Sequence, residues 1–73
     1  MNIPKDFIEV TSIYDGKKSV IRSESIEAVH DNDAENVDFG VKPAHRTIVY
    51  NGRALDVIES LEDICNMIYK AEF

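Results

Sequence analysis

The sequence has one cysteine, two prolines, three glycines and no tryptophan among its 73 residues. A single thiol, Cys65, excludes an internal disulfide, so the fold has to depend on its hydrophobic core. The sequence also lacks an apolar run long enough to cross a bilayer, and its first residues lack the basic-then-apolar pattern of a secretory signal. These absences predict a soluble protein of the cytoplasm.

Basic residues are scarce as well. Eight lysines and arginines stand against fourteen aspartates and glutamates, which gives a formal net charge of −6. An acidic chain is repelled by nucleic-acid phosphates and by anionic membrane surfaces, so we expect neither direct nucleic-acid binding nor membrane insertion. A protein partner with a basic surface would suit this charge, although acidity also serves solubility alone.

Motifs of known catalytic or cofactor chemistry are missing too. The sequence has no Gly-x-Ser-x-Gly nucleophile elbow, no glycine-rich phosphate loop and no pair of zinc ligands at finger spacing. The alternating oxygen ligands that begin at Asp31 resemble a calcium loop, but Asn36 and Lys42 replace its sixth-position glycine and twelfth-position glutamate. We therefore expect a protein that is not an enzyme and that carries no cofactor and no metal.

The clearest structural signal lies in the last third of the chain. Asn51-Gly52 is a strong type I′ turn signal, which predicts a C-terminal hairpin over residues 46–58. A two-residue loop fixes the register, so that Tyr50 pairs with Arg53, Ile48 with Leu55 and Arg46 with Val57. Since side chains alternate across a strand, the larger apolar residues share one face of this hairpin.

An amphipathic helix is predicted over residues 60–71. Ser60 and Asp63 have the spacing of a capping box, and Lys70 suits the negative end of the helix dipole. The predicted apolar stripe consists of Leu61, Ile64, Cys65, Ile68 and Ala71. This stripe is expected to cover the apolar face of the sheet, with Cys65 as a buried thiol.

The first part of the chain predicts a second hairpin. Phe7–Tyr14 and Lys17–Arg22 are alternating strands on either side of Asp15-Gly16, a register that places Val10 opposite Ile21. Residues 23–25 then form a turn before a short third strand that ends near His30. In the alternative interpretation, a single helical turn runs from Ser23 to Ala28. Residues 31–45 are predicted to be a loop whose far end is anchored by Phe39 and Val41.

Together these elements predict one small domain over residues 1–73. Its class is α+β: a strongly bent antiparallel sheet of four or five strands with one C-terminal helix packed on it. A core in a chain this short supplies little stability by itself, which favours self-association.

The assembled pattern resembles the small FlbD/SwrD-type flagellar motility proteins and the FlbD-like short proteins of phage genomes. The matching positions are Phe7-Ile8-Glu9-Val10-Thr11, Gly16-Lys17, Ile26, Val29, Thr47-Ile48, Asn51-Gly52, Val57, Glu59-Ser60, Glu62 and Ile64. They are strand apolar residues, turn glycines and a helix cap. The resemblance implies a small accessory protein, without catalytic activity, that acts by binding.

Three function hypotheses follow. The first is a self-associating protein-interaction module of motility or phage-accessory type, because one helix cannot cover all the apolar side chains of the strands. The second is a phage-borne acidic inhibitor that occupies a basic nucleic-acid-binding groove of a host enzyme. The third is capture of a small anionic ligand or nucleotide at a subunit boundary.

Each hypothesis has its own candidate binding residues. The apolar contact uses Phe7, Ile13, Tyr14 and Tyr50. The acidic surface uses Asp31, Asp33 and Glu35, and the anion site uses His45, Arg46 and Arg53.

Overall fold

The computed structural model describes residues 3–73, which form seven β-strands, one 3-10 turn and one α-helix. The strands are β1 (Phe7–Thr11), β2 (Lys18–Arg22), β3 (Ile26–Asn32), β4 (Glu35–Val37), β5 (Gly40–Lys42), β6 (His45–Tyr50) and β7 (Arg53–Val57). The 3-10 turn is Ser23–Ser25, and the helix α1 is Leu61–Glu72. The predicted α+β class is confirmed, and so is the turn at residues 23–25, whereas the alternative helical turn to Ala28 is not formed because β3 begins at Ile26.

The C-terminal hairpin has the register that the sequence predicts. Tyr50 pairs with Arg53, Ile48 with Leu55 and Arg46 with Val57. Asn51 and Gly52 have φ angles of 48° and 73°, the left-handed conformation that a type I′ turn requires at both central positions. Ile48 and Val57 are fully buried on the face that the helix covers.

The two strands of the N-terminal hairpin pair in a register that is shifted by two residues from the predicted one. Ile8 lies opposite Ile21, and Val10 lies opposite Ser19. The turn is wider than Asp15-Gly16 alone suggests, because the Gly16 amide donates to the Ser12 carbonyl (3.2 Å) and the Ser12 amide donates to the Lys17 carbonyl (2.9 Å). A shift of two residues preserves the face of each side chain, so Ile8, Val10 and Ile21 still enter the core.

A short junction joins the two-stranded sheet of β1 and β2 to the three-stranded sheet with the order β3-β6-β7. Ser12 and Val57 form an antiparallel bridge. On either side of it, the Ile13 amide donates to the Asp56 carbonyl (3.2 Å) and the Ile58 amide donates to the Thr11 carbonyl (3.0 Å). These five strands correspond to the bent sheet predicted from the sequence.

The helix begins as predicted but faces the sheet with a different stripe. The Ser60 hydroxyl accepts a hydrogen bond from the Asp63 amide at 3.0 Å. Ile64 and Ala71 are buried, with Met67 and Ile68 packed against the core beside them. The prediction that Cys65 is buried is wrong, because the buried face is centred one position away and leaves this thiol exposed. No helix among residues 3–73 has the length and apolar character needed to cross a bilayer.

The segment predicted as a loop over residues 31–45 contains regular structure. β3 continues to Asn32, β6 begins at His45, and between them β4 and β5 form a third hairpin. Two of its pairs are Glu35 with Lys42 and Val37 with Gly40. The chain therefore adds a two-stranded hairpin to the bent sheet.

The Glu59 carboxylate connects the N-terminal hairpin to the start of the helix by hydrogen bonds. Its removal tests this connection. The carboxylate accepts hydrogen bonds from the amide and the hydroxyl of Thr11, each at 2.8 Å. In Glu59→Ala both partly buried donors lose their partner, which should lower the free energy of unfolding by about 1–3 kcal/mol. Urea denaturation of Glu59→Ala and of the control Glu62→Ala, an exposed acid of the first helical turn, measures the difference. Equal midpoints for the two variants would contradict the role of Glu59.

Candidate interaction surface

The third hairpin projects from the rest of the protein. We call residues 35–42, which are β4, β5 and the turn between them, the arm. Residues 33–41 are exposed without exception, so the arm faces solvent on both of its sides. An isolated two-stranded hairpin is only marginally stable in water, and the arm therefore needs support at its base.

The overall dimensions agree with a projecting element. The radius of gyration is 12.6 Å, whereas a compact domain of this length has about 11 Å. The accessible surface is 5207 Å², whereas a compact monomer of 8.3 kDa exposes about 4,600 Å². The principal extents of 41 × 24 × 23 Å show that the molecule is elongated in one direction.

The tip of the arm is apolar. Phe39 lies in the two-residue turn and is 101% exposed. Val37 pairs with Gly40 and Val41 pairs with Asn36, so the two valines point to opposite faces of the arm, where they are 45% and 66% exposed. The prediction that Phe39 and Val41 anchor this segment is wrong. Val37, Phe39 and Val41 are the exposed apolar residues at the end of the arm, and we call them the apolar tip.

Asp56 holds the base of the arm to the sheet. The Lys42 ammonium lies 3.1 Å from its carboxylate. The same carboxylate accepts hydrogen bonds from the Tyr14 hydroxyl (2.5 Å) and the Thr47 hydroxyl (2.7 Å). The Asn32 amide group donates in turn to Thr47 at 2.8 Å. These contacts lie on the sheet face opposite the helix, because Asp56 and Thr47 alternate with the core residues.

His45 completes the base from within the sheet. Its side chain is almost entirely buried, and Nδ1 lies 2.9 Å from the Pro43 carbonyl oxygen. Because a carbonyl oxygen only accepts, Nδ1 carries the proton and donates it. Nε2 lies 3.8 Å from Asp56 at the edge of an open cleft of ≈ 490 Å³ between the arm and the sheet. His45 thus fixes the segment that leads from the arm into β6.

The hydrogen bonds at the base change the acidity of Asp56. Partial burial by itself raises the pKa of a carboxylate, but hydrogen bonds from Tyr14, Thr47 and Lys42 and the charge of Lys42 outweigh it. The pKa of Asp56 therefore falls from 3.8 to about 2. The hydrogen bond to Asp56 correspondingly raises the pKa of Lys42. Within residues 3–73 every buried side-chain nitrogen and oxygen has a hydrogen-bond partner, so this network is internally complete.

The apolar candidates do not form one uncovered face. Phe7, Ile13 and Tyr50 are half-buried, and Tyr50 packs against the core. Tyr14 is 69% exposed, but its hydroxyl is occupied by Asp56. The more exposed apolar surface lies elsewhere, above all at the apolar tip.

The basic candidates are not brought together. Arg46 donates to the carbonyl oxygens of Glu59 (2.7 Å) and Ile58 (2.8 Å), and so stabilises the link between β7 and the helix. Arg53 is exposed at the other end of the hairpin, four residues and about 13 Å away along the strand. His45 lies on the opposite sheet face from Arg46 because they are neighbours in one strand. A shared anion site made of these three residues is not present in the structure.

The acidic candidates lie at or near the arm. Asp33 and Glu35 are exposed at its base, and Asp38 is exposed beside Phe39. Asp31 is also exposed and lies 3.4 Å from Arg46. Among residues 3–73 no three histidine, cysteine, aspartate or glutamate side chains are grouped as metal ligands.

Sequence reasoning missed the arm itself, although one signal for it is present. Val37 and Val41 flank Asp38-Phe39-Gly40, which has the composition of a hairpin turn. The two flanking strands are only three residues long, so the alternation that identifies a strand is hardly visible.

The depressed pKa of Asp56 predicts a pH dependence of stability. A carboxylate with a lowered pKa stabilises the folded state above its unfolded pKa of 3.8, and this contribution is lost as the pH falls through about 2. At neutral pH, Asp56→Asn should lower the free energy of unfolding by at most about 2 kcal/mol, and the difference from the wild type should shrink between pH 4 and pH 2. Urea denaturation at a series of pH values measures this.

A second measurement separates the arm from the rest of the molecule. Hydrogen exchange of the amides of residues 35–42 should accelerate in Asp56→Asn more than that of β6 and β7. Asp33→Asn is the matched control, since it removes an exposed carboxylate beside the same cleft. An unchanged exchange rate in the arm of Asp56→Asn would show that Lys42 and Asp56 do not hold it.

Comparisons with protein-family models, with curated proteins and with solved structures give no match to this chain. The resemblance to FlbD-like proteins consequently depends on the strand residues, turn glycines and helix cap quoted above.

Proposed function

We propose that this protein is a self-associating interaction module without catalytic activity, and that the arm is its contact element. The observation that carries the proposal is the complete exposure of Phe39 at the end of a projecting hairpin. A large aromatic side chain in that position gains free energy only when another surface covers it.

Two features of the arm support a role in binding rather than a purely structural role. Its base is fixed by an ion pair and a hydrogen-bond network, while its apolar side chains are turned away from the core. A preformed element loses little conformational entropy on binding, so more of the contact energy appears as affinity. The arm is thus ready to insert its tip into a partner.

The FlbD-like resemblance suggests a cytoplasmic setting in motility or in a phage accessory complex. A second candidate function is the acidic inhibitor, which is favoured by the exposure of Asp33, Glu35 and Asp38 on or beside the arm. The Glu59 carboxylate is not available for such a role, because it accepts from Thr11. The two candidates differ in whether the chain associates with itself and whether Phe39 is required.

The proposal predicts that Phe39→Ser abolishes self-association. Wild-type protein at high concentration should have a mass above 8.3 kDa by light scattering on size exclusion, because the apolar tip is covered by another copy. Loss of a buried phenylalanine contact of about 2 kcal/mol should weaken association roughly 30-fold, so Phe39→Ser should remain monomeric.

Tyr69→Ser is the matched control. Tyr69 is 66% exposed on the helix, where its ring lies 5.1 Å from that of Phe73, so its removal tests a second exposed aromatic residue outside the arm. Retained association in Tyr69→Ser and loss in Phe39→Ser would support the arm. A wild-type protein that stays monomeric at every concentration would overturn self-association and leave the acidic inhibitor as the remaining candidate.

A further inference from the structure

We infer that the apolar tip of one copy inserts into a groove between the N-terminal segment and helix α1 of a second copy, so that the contact is head-to-tail. The inference rests on the proposed self-association and names both of its surfaces. The groove is open, has a volume of ≈ 340 Å³, and lies far along the chain from the arm.

The lining of the groove matches the tip in chemistry. Its apolar side chains come from the N-terminal segment, the start of β1 and the second half of the helix. They are Ile3, Pro4, Phe7 and Met67, while Ile8 and Ala71 also line the groove but are themselves buried in the core. The tip lies at the end of a projecting arm and the groove is an open recess, so a tip can enter a groove, whereas two tips cannot enter each other. A contact of this kind removes the ring of Phe39 from water without any rearrangement of the core.

The charges on the two surfaces are complementary. The arm has two acids, Glu35 and Asp38, while its one basic residue, Lys42, is paired with Asp56. The groove has Lys5 and Lys70 at its rim. It also has the acids Asp6 and Glu9, but Glu9 is paired with Lys18 at 3.1 Å. Lysines beside the groove therefore meet Asp38 beside the tip, which disfavours a basic partner in the groove.

The tip and groove of one molecule are placed apart. The arm is fixed through Lys42 and Asp56 to the sheet face opposite the helix, whereas the groove lies against the helix itself. The tip of one copy accordingly meets the groove of another. Because the two surfaces differ, the contact is heterologous and can extend into a ring or a chain of copies. A tip of three side chains makes a small interface, so association is expected at high protein concentration.

A mixing experiment tests this arrangement. Phe39→Ser removes the tip and leaves the groove, while the double variant Ile3→Asp with Lys70→Glu places acids in the groove and leaves the tip. Each variant should associate with itself at least about ten-fold more weakly than the wild type does, and so should be monomeric at concentrations where the wild type associates. An equimolar mixture should form a dimer that grows no further, since one intact tip meets one intact groove.

Sedimentation velocity measures the three samples, and thermal melting confirms that both variants are folded. In a second measurement, labelled Phe39→Ser is titrated with the unlabelled groove variant, and the amide signals of Phe7, Met67 and Lys70 should shift. A groove variant that associates as strongly as the wild type, or a mixture that stays monomeric, would overturn the head-to-tail contact and leave self-association standing. A monomeric wild type would overturn the proposed function instead.

Discussion

One carboxylate connects all the β-structure described for this chain. Asp56 lies in β7, accepts from Thr47 in the neighbouring strand, from Tyr14 in the turn of the N-terminal hairpin, and from Lys42 in the arm. Its backbone carbonyl also accepts from Ile13 at the junction of the two main hairpins. The three sheets formed by residues 3–73 therefore meet at one residue. A partly buried carboxylate stabilises the fold only when hydrogen-bond donors surround it, and here each of the three sheets provides one donor.

The two turn signals of the sequence predicted the registers of their hairpins with different accuracy, because their backbone conformations differ. Asn51-Gly52 supplies positive φ at both central positions, so the two-residue loop and the register were predicted correctly. Asp15-Gly16 supplies it only at Gly16, and the chain closes instead through a wider turn between Ser12 and Lys17. The core residues were still identified, because the error of two residues leaves every side chain on its face.

The arm, which is the proposed contact element, was harder to predict than the core. Periodicity identifies residues that share a buried face, and the arm has no buried face. Sequence reasoning normally assigns a phenylalanine to the interior of the fold, which is why Phe39 was expected to anchor the segment. Periodicity also misassigned one residue of the helix. Cys65 has helical spacing with the core residues but lies just outside their contact face.

If the arm is the contact element, as proposed above, stability and binding are coupled through its base. A hairpin with both faces in water gains almost nothing from the hydrophobic effect, so its order depends on the turn and on its connection to the sheet. Lys42 and Asp56 provide that connection at the end opposite Phe39. They restrict the arm before it meets a partner and so reduce the entropy that binding would otherwise remove. In the proposed contact, the polar base would therefore contribute to affinity without touching the partner, and the apolar tip would do so without stabilising the monomer.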